Sequence, residues 1–159
     1  NTAAYLVSET ATVEELLKKM NGVEVDKEGN VTINGEEIKG VRIDGKKFFV
    51  FGGASSHDKE HRTEGKNWWK DELPSEQEYS NAENTLEKND LNFDYIITHS
   101  APTSVQTQIA STYEITELTE FLEKIKNNVA CKKWFFGHYH QDKKFDEKYI
   151  AIFDSIYKI

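Results

Sequence analysis

The spacing of hydrophobic and polar positions changes along the chain and predicts where its elements lie. Between residues 23 and 43, Val and Ile alternate with polar residues, and the turn sequences KEGN, NGEE and DGKK interrupt them. This period of two predicts short hairpin strands. Before them, TVEELLKK has apolar residues at helical spacing, with Thr12 and Glu15 in a capping-box pattern, and AAYLV reads as a strand. Residues 1–49 are therefore predicted to form a small β-α-β-β-β unit.

After residue 50 the apolar runs lengthen and alternate with helical patterns. FFVFGGASS, FDYIITHSAP and KKWFFGHYH predict buried strands, and DEKYIAIFDSIYKI predicts the closing strands. PSEQEYSNAENTLEKN and ITELTEFLEKIKNN predict helices, while HDKEHRTEGKNWWKDEL lacks a clean period and predicts a loop. This order predicts an α/β (α+β) layer architecture for residues 50–159.

Composition narrows the classes of function. The chain has 159 residues and a net charge of -8, which argues against non-specific nucleic-acid binding because phosphate affinity needs an excess of Lys and Arg. It has no run of about 18 apolar residues, so no membrane span is expected. The single cysteine, Cys131, excludes an internal disulfide. The first residues lack a signal-peptide pattern, so a cytoplasmic location is expected.

All five histidines follow residue 50, and three of them come at the ends of predicted strands. His99 ends IITHS, while His138 and His140 end FFGHYH. Ligands collect at the carboxyl ends of strands in α/β sheets, and imidazole suits several divalent metals. The pattern therefore predicts a metal site. The alternative is a structural or solvated role, since a His-x-His pair in a strand shares one face by the period of two alone.

THSAP followed by GHYH resembles the last two motifs of the calcineurin-like metallophosphoesterases, over about residues 43–159. The resemblance implies a partial β-sandwich with flanking helices and a phosphoester substrate. It also implies a divalent metal site for Mn, Zn, Fe or Ni. In this reading His99 and His138 bind one ion and His140 binds a second. The resemblance places four more residues on a loop near the substrate: His57, Asp58, His61 and Arg62. The alternative for these four residues is an ordinary surface-loop role.

The sequence also departs from that family. The upstream Asp-x-His, the Gly-Asp-x-x-Asp that supplies a bridging carboxylate, and the Gly-Asn-His-Asp/Glu motif are absent. The chain therefore resembles a C-terminal half, which we expect to be incomplete for catalysis by itself, and retention of the metal stays open. A mononuclear zinc hydrolase that uses the three histidines, with Asp58 as base, is a further alternative.

The first part of the chain resembles a different family. TVEELLKK, GVEVD, VTING and DGKKFF, within about residues 2–49, resemble the start of the plug region of Bacteroidetes-type TonB-dependent outer-membrane receptors. The two resemblances meet at IDGKKFF, which suggests a chimera, natural or engineered. The alternative function is a non-catalytic binding or scaffold module. Half a sandwich leaves apolar faces that a homodimer or a complementing chain would cover.

Overall fold

The computed structural model describes residues 23–25, 31–33, 36–37, 41–55, 63 and 72–158. The chain divides into two compact units, Asn1–Lys39 and Gly40–Ile159. The sequence places a boundary ten residues later, between 49 and 50, inside the strand Lys46–Phe51. The predicted AAYLV strand and TVEELLKK helix lie outside the described residues.

The described part of the first unit is a small antiparallel sheet. Its strands are β1 (Val23–Val25), β2 (Val31–Ile33) and β3 (Glu36–Glu37), in the order β1-β2-β3. Strands β1 and β2 coincide with the alternating Val and Ile positions that predicted them. The NGEE pattern predicted that Glu36–Glu37 belong to a turn, but in the structure these two residues pair with β2.

The second unit contains a six-stranded mixed sheet in the order β4-β5-β6-β7-β9-β8. Its strands are β4 (Val41–Ile43), β5 (Lys46–Phe51), β6 (Tyr95–Thr98), β7 (Lys133–Phe136), β8 (Lys143–Lys144) and β9 (Tyr149–Ala151). The central strands β5, β6, β7 and β9 are parallel, and each outer strand is antiparallel to its neighbour. Asp44 and Gly45 both have positive φ, as a two-residue turn between β4 and β5 requires.

Three helices within the described residues connect the parallel strands. They are α1 (Glu76–Lys88), α2 (Thr103–Ile109) and α3 (Glu117–Asn128). Helices α1 and α3 coincide with the predicted helical patterns, and each begins after a side-chain cap, Ser75 or Thr116. Helix α2 was not predicted, because it is only seven residues long and has no side-chain cap. No described helix is long and apolar enough to cross a lipid bilayer.

The helices pack against one face of the sheet and form the main core there. Right-handed crossovers between parallel strands place successive helices on the same face. Buried residues of this core come from the sheet and from all three helices, among them Phe49, Ile96, Trp134, Phe136, Leu86, Val105, Leu118 and Leu122. The prediction of a mixed α/β fold is confirmed.

The opposite face of the sheet is also apolar, since every second strand residue points there. It holds a smaller cluster of four buried residues: Phe48, Tyr95, Phe135 and Ile150. The partly buried side chains of Ile152 and Tyr157 pack against this cluster. The strand register places three more apolar side chains on this face: Ile43, Val50 and Ile97. These side chains are 57%, 66% and 38% exposed, respectively. The second face is therefore only partly covered.

Candidate functional site

The three predicted metal ligands lie just beyond the carboxyl ends of two adjacent parallel strands. His99 follows the last residue of β6, while His138 and His140 follow β7 after Gly137. The Gly137 N–H donates to the His99 carbonyl at 3.1 Å, which extends the contact between the strands by one step. Sheet order thus brings the histidines of two distant sequence segments to one edge.

His99 and His138 form a close pair of rings. Their ring centroids are 5.2 Å apart and their planes are inclined by 65°. Two imidazoles on one tetrahedral zinc ion have ring centres roughly 5 Å apart, because each Zn–N bond is about 2.0–2.1 Å long. The spacing is compatible with one shared ion, and it is equally that of an ordinary edge-to-face pair of rings.

The backbone of the second motif is unusual for non-glycine residues. His138 and His140 have φ values of 63° and 48°, in the left-handed region. Strand β7 ends at Phe136, so the two histidines do not share a face through strand periodicity. Strained residues of this kind persist where the surrounding structure holds them, and they cluster at ligand sites. Gly137 is less constrained, since an added Cβ would lie 3.7 Å from His99 Nδ1, an ordinary contact.

Tyr139 holds the segment between the two strained histidines. Its side chain is buried, and its hydroxyl donates to Gln106 Oε1 at 2.9 Å and accepts from the Ala101 N–H at 3.2 Å. Its ring makes edge contacts with Phe136 and Tyr113. Burial raises the pKa of Tyr139 to about 12. The sequence analysis missed this residue, although its position between two histidines after an apolar run was visible.

The local electrostatics favour a neutral His99. Much of the residue is exposed, yet its ring lies beside Gly137 and His138, which removes water from part of the imidazole. This desolvation lowers the pKa of His99, and the charge on nearby His140 lowers it further. A neutral imidazole has a free lone pair, which is the form that binds a metal ion.

His140 is exposed but has an aromatic neighbour. Its ring stacks on Phe153, with centroids 5.0 Å apart and planes inclined by 29°. The turn that carries Phe153 is bound to the Asp142 carboxylate, which accepts three backbone N–H groups from residues 153–155. These hydrogen bonds lower the pKa of Asp142, that from Phe153 most.

A small polar cavity lies beside His138. Its volume is about 20 Å³, and most of its lining is polar: Ser55, Ser100, Gln106, Glu114, Thr116 and Thr119. This is room for about one water molecule. A ligand much larger than a water molecule does not fit this cavity.

The described residues do not form a complete metal shell. Within the described ranges, no group of three or more His, Cys, Asp or Glu side chains is placed to hold a metal ion. The His99–His138 pair is two imidazoles, fewer than such a group of three. The predicted loop residues lie outside the described residues: His57, Asp58, His61 and Arg62.

Comparison of the chain with protein-family models, with curated proteins and with solved structures finds no match. A functional assignment therefore depends on the chain's own residues.

Proposed function

We propose that the chain is the C-terminal portion of a metal-dependent phosphoesterase and supplies histidine ligands to its metal centre. The observation that carries the proposal is the His99–His138 pair, whose ring centroids lie 5.2 Å apart beyond the ends of two adjacent parallel strands. This is the edge of an α/β sheet where ligands collect. The THSAP and GHYH sequences, which contain these histidines, support the same assignment.

Each residue of the edge has a proposed role. His99 and His138 hold one divalent ion, of Mn, Zn, Fe or Ni, and His140 belongs to a second ion. When bound, such ions stabilise the negative charge on a phosphoryl group. The chain contributes a neutral imidazole at His99, whose pKa is lowered, and a backbone held by buried Tyr139.

Catalysis requires ligands beyond these three histidines. A bridging carboxylate is part of the resemblance but is not placed at this edge by the described residues. We therefore expect the missing ligands to come from residues outside the described ranges or from a complementing chain. His57, Asp58, His61 and Arg62 keep their predicted place near the substrate.

Metal titration of the purified chain tests the proposal. Calorimetry with Zn²⁺ and with Mn²⁺ is expected to show one ion whose binding is lost in His99→Ala and in His138→Ala, and a second ion whose binding is lost in His140→Ala. Gln141→Ala is the control, because it changes the same loop without removing an imidazole. Equal binding by all variants, or no binding by the wild-type chain, would contradict the proposal.

Hydrolysis of a chromogenic phosphodiester in the presence of Mn²⁺ tests the catalytic part. The wild-type chain is compared with a variant that carries Ala at His99, His138 and His140. Turnover above this variant would show that the chain is active by itself. Turnover that appears only after addition of a complementing chain would show that the site is shared.

A second candidate function is a non-catalytic binding or scaffold module. The observation that favours it is the partly covered apolar sheet face, where Ile43, Val50 and Ile97 are exposed. The two-layer sandwich that the metallophosphoesterase resemblance implies requires a second sheet against such a face, about 10 Å away. A second copy of the chain could supply it, because a two-fold contact sets one patch against itself.

The mononuclear zinc hydrolase stays a prediction, because its proposed base, Asp58, lies outside the described residues. A zinc-loaded chain whose hydrolytic activity survives Asp58→Ala would count against that base.

A further inference from the structure

The C-terminal turn of the chain reaches one of the proposed metal ligands. The Phe153 ring stacks on the His140 ring at a centroid distance of 5.0 Å. Both residues are exposed, and His140 lies in a loop beyond the end of β7. An exposed side chain without such a neighbour exchanges freely between rotamers, and ordering it costs free energy. The stacking therefore restricts a ligand that solvent would otherwise leave free.

Asp142 holds Phe153 in this place. Asp142 Oδ1 accepts from the backbone N–H of Phe153 at 2.9 Å and of Ser155 at 3.2 Å, and its Oδ2 accepts from that of Asp154 at 3.2 Å. Hydrogen bonds to an ionised carboxylate are stronger than those between neutral groups. A carboxylate two residues beyond His140 thus binds the turn that carries the stacked ring.

We infer that Asp142 is a positioning residue for His140: by binding the 153–155 turn it keeps Phe153 stacked on the imidazole and orders that ring for a metal ion. The inference rests on the proposed function, which makes His140 a ligand. A side chain that is ordered before binding loses less entropy when the ion arrives. Loss of this order is expected to weaken binding through His140 by about two- to twelve-fold.

The position of the ring can be measured without metal. The ring current of Phe153 shifts the His140 ring-proton resonances in NMR spectra, and we expect Asp142→Ala and Phe153→Leu to move them towards the values of an unstacked histidine. Asp142→Asn retains Oδ1, the acceptor for Phe153 and Ser155, and is expected to retain most of the shift. This rescue separates loss of the acceptor from general damage to the loop.

Asp146→Ala is the matched control. Asp146 Oδ1 accepts from the backbone N–H groups of Lys148 and Tyr149, so this variant also frees a turn in the same region. These hydrogen bonds hold a turn other than the one that carries Phe153, so we expect the His140 resonances to stay in place. Unchanged resonances in Asp142→Ala, or an equal movement in Asp146→Ala, would overturn the inference.

Calorimetry with Zn²⁺ then connects position to binding. Asp142→Ala and Phe153→Leu are expected to weaken the His140-dependent binding by about two- to twelve-fold, while Asp146→Ala leaves it unchanged. Unaltered affinity in the first two variants would overturn the role in metal binding.

If the wild-type chain binds no Zn²⁺, the proposed function fails, and the metal-free resonances alone decide whether Asp142 positions His140. If Asp142→Ala does not fold, Asp142→Asn decides. A small movement of its His140 resonances away from the wild-type positions, towards those of an unstacked histidine, supports the inference, and resonances that stay at the wild-type positions overturn it.

Discussion

At the scale of single residues, the backbone just beyond β5 depends on a glycine that has little room. Gly53 has a φ of 100°, and a Cβ added there would lie 2.8 Å from Pro74 Cδ and 2.9 Å from Pro74 Cγ. Its carbonyl accepts a hydrogen bond from the Ser100 hydroxyl at 3.1 Å. Neighbouring Gly52 has open space around its Cα. The two adjacent glycines are therefore not equivalent.

Gly53→Ala is expected to destabilise the protein by about 2–4 kcal/mol, because it adds a positive-φ penalty to a steric clash. Gly52→Ala is the matched control and is expected to change stability by less than about 1 kcal/mol. Urea unfolding of both variants measures the difference. Equal destabilisation by the two substitutions would contradict this account.

Tyr139→Phe tests the buried anchor between the two strained histidines. The variant removes the partner of Gln106 Oε1 and of the Ala101 N–H inside the core. An unpaired buried polar group costs about 1–3 kcal/mol, so the free energy of unfolding is expected to fall by that amount. Tyr79→Phe, at a partly exposed ring, is the control and is expected to stay within about 0.5 kcal/mol. Denaturant titration gives both values.

The same tyrosine predicts a change of stability in alkali. Burial raises the pKa of Tyr139 to about 12 in the folded chain, above its usual value of about 10. Between these values the folded state binds more protons than the unfolded state, so stability is retained below about pH 10 and falls as the pH rises towards 12. The loss due to this group is on the order of 2 kcal/mol. Wild type should lose that much more than Tyr139→Phe across this window, and parallel pH profiles would argue against it.

At the scale of elements, local signals predicted the helices that carry caps and missed the one that does not. Helices α1 and α3 begin with reciprocal capping boxes at Ser75 and Thr116. The Ser75–Glu78 box has the S/T-x-x-E/Q pattern, whereas the partner of Thr116 is Thr119, which that pattern does not include. Helix α2 begins after Pro102 without a side-chain cap, and it is anchored by buried Val105 and Gln106. Its presence depends on packing and not on a start signal.

Ser75→Ala is expected to destabilise the protein by about 1 kcal/mol through loss of the α1 cap. Ser75 Oγ accepts from the Glu78 N–H at 3.3 Å, and Glu78 Oε2 accepts from the Ser75 N–H at 2.7 Å. Ser80→Ala, within the same helix, is the control, and it should be neutral or slightly stabilising because Ala has the higher helix propensity. Thermal unfolding followed by circular dichroism separates them. A loss in the Ser80 variant as large as that in the Ser75 variant would rule out capping as the cause.

At the scale of the whole molecule, the two faces of the six-stranded sheet differ in how far they are buried. The helices cover one face, and the other carries a small buried cluster beside exposed apolar positions. Exposed apolar patches on a folded unit mark surfaces that associate. The face thus supports contact with a second sheet, as in the second candidate function.

Val50→Lys and Ile97→Lys are expected to abolish self-association of the chain, because each places a charge on the apolar face. Analytical ultracentrifugation of the wild type should then show a dimer that both variants convert to monomer. Ile115→Lys is the control, since Ile115 is 57% exposed and lies just before α3, outside the strands of the sheet. A wild-type monomer at all concentrations, or equal dissociation of the Ile115 variant, would refute the dimer.

The sequence by itself determined β4, β5, β6, β7, β9, α1 and α3 of the second unit, because hydrophobic periodicity acts within one or two turns of the chain. It did not determine α2 or β8. It also singled out His99, His138 and His140, since each follows an apolar run. Only the tertiary structure decided that β6 and β7 are neighbours and that the rings of His99 and His138 approach to 5.2 Å. Three further features are visible only in the tertiary structure: β7 ends before the histidines, Tyr139 is buried in the core, and Phe153 stacks on His140. These contacts join residues from separate segments, and their geometry depends on sheet order and backbone conformation, which no local pattern encodes.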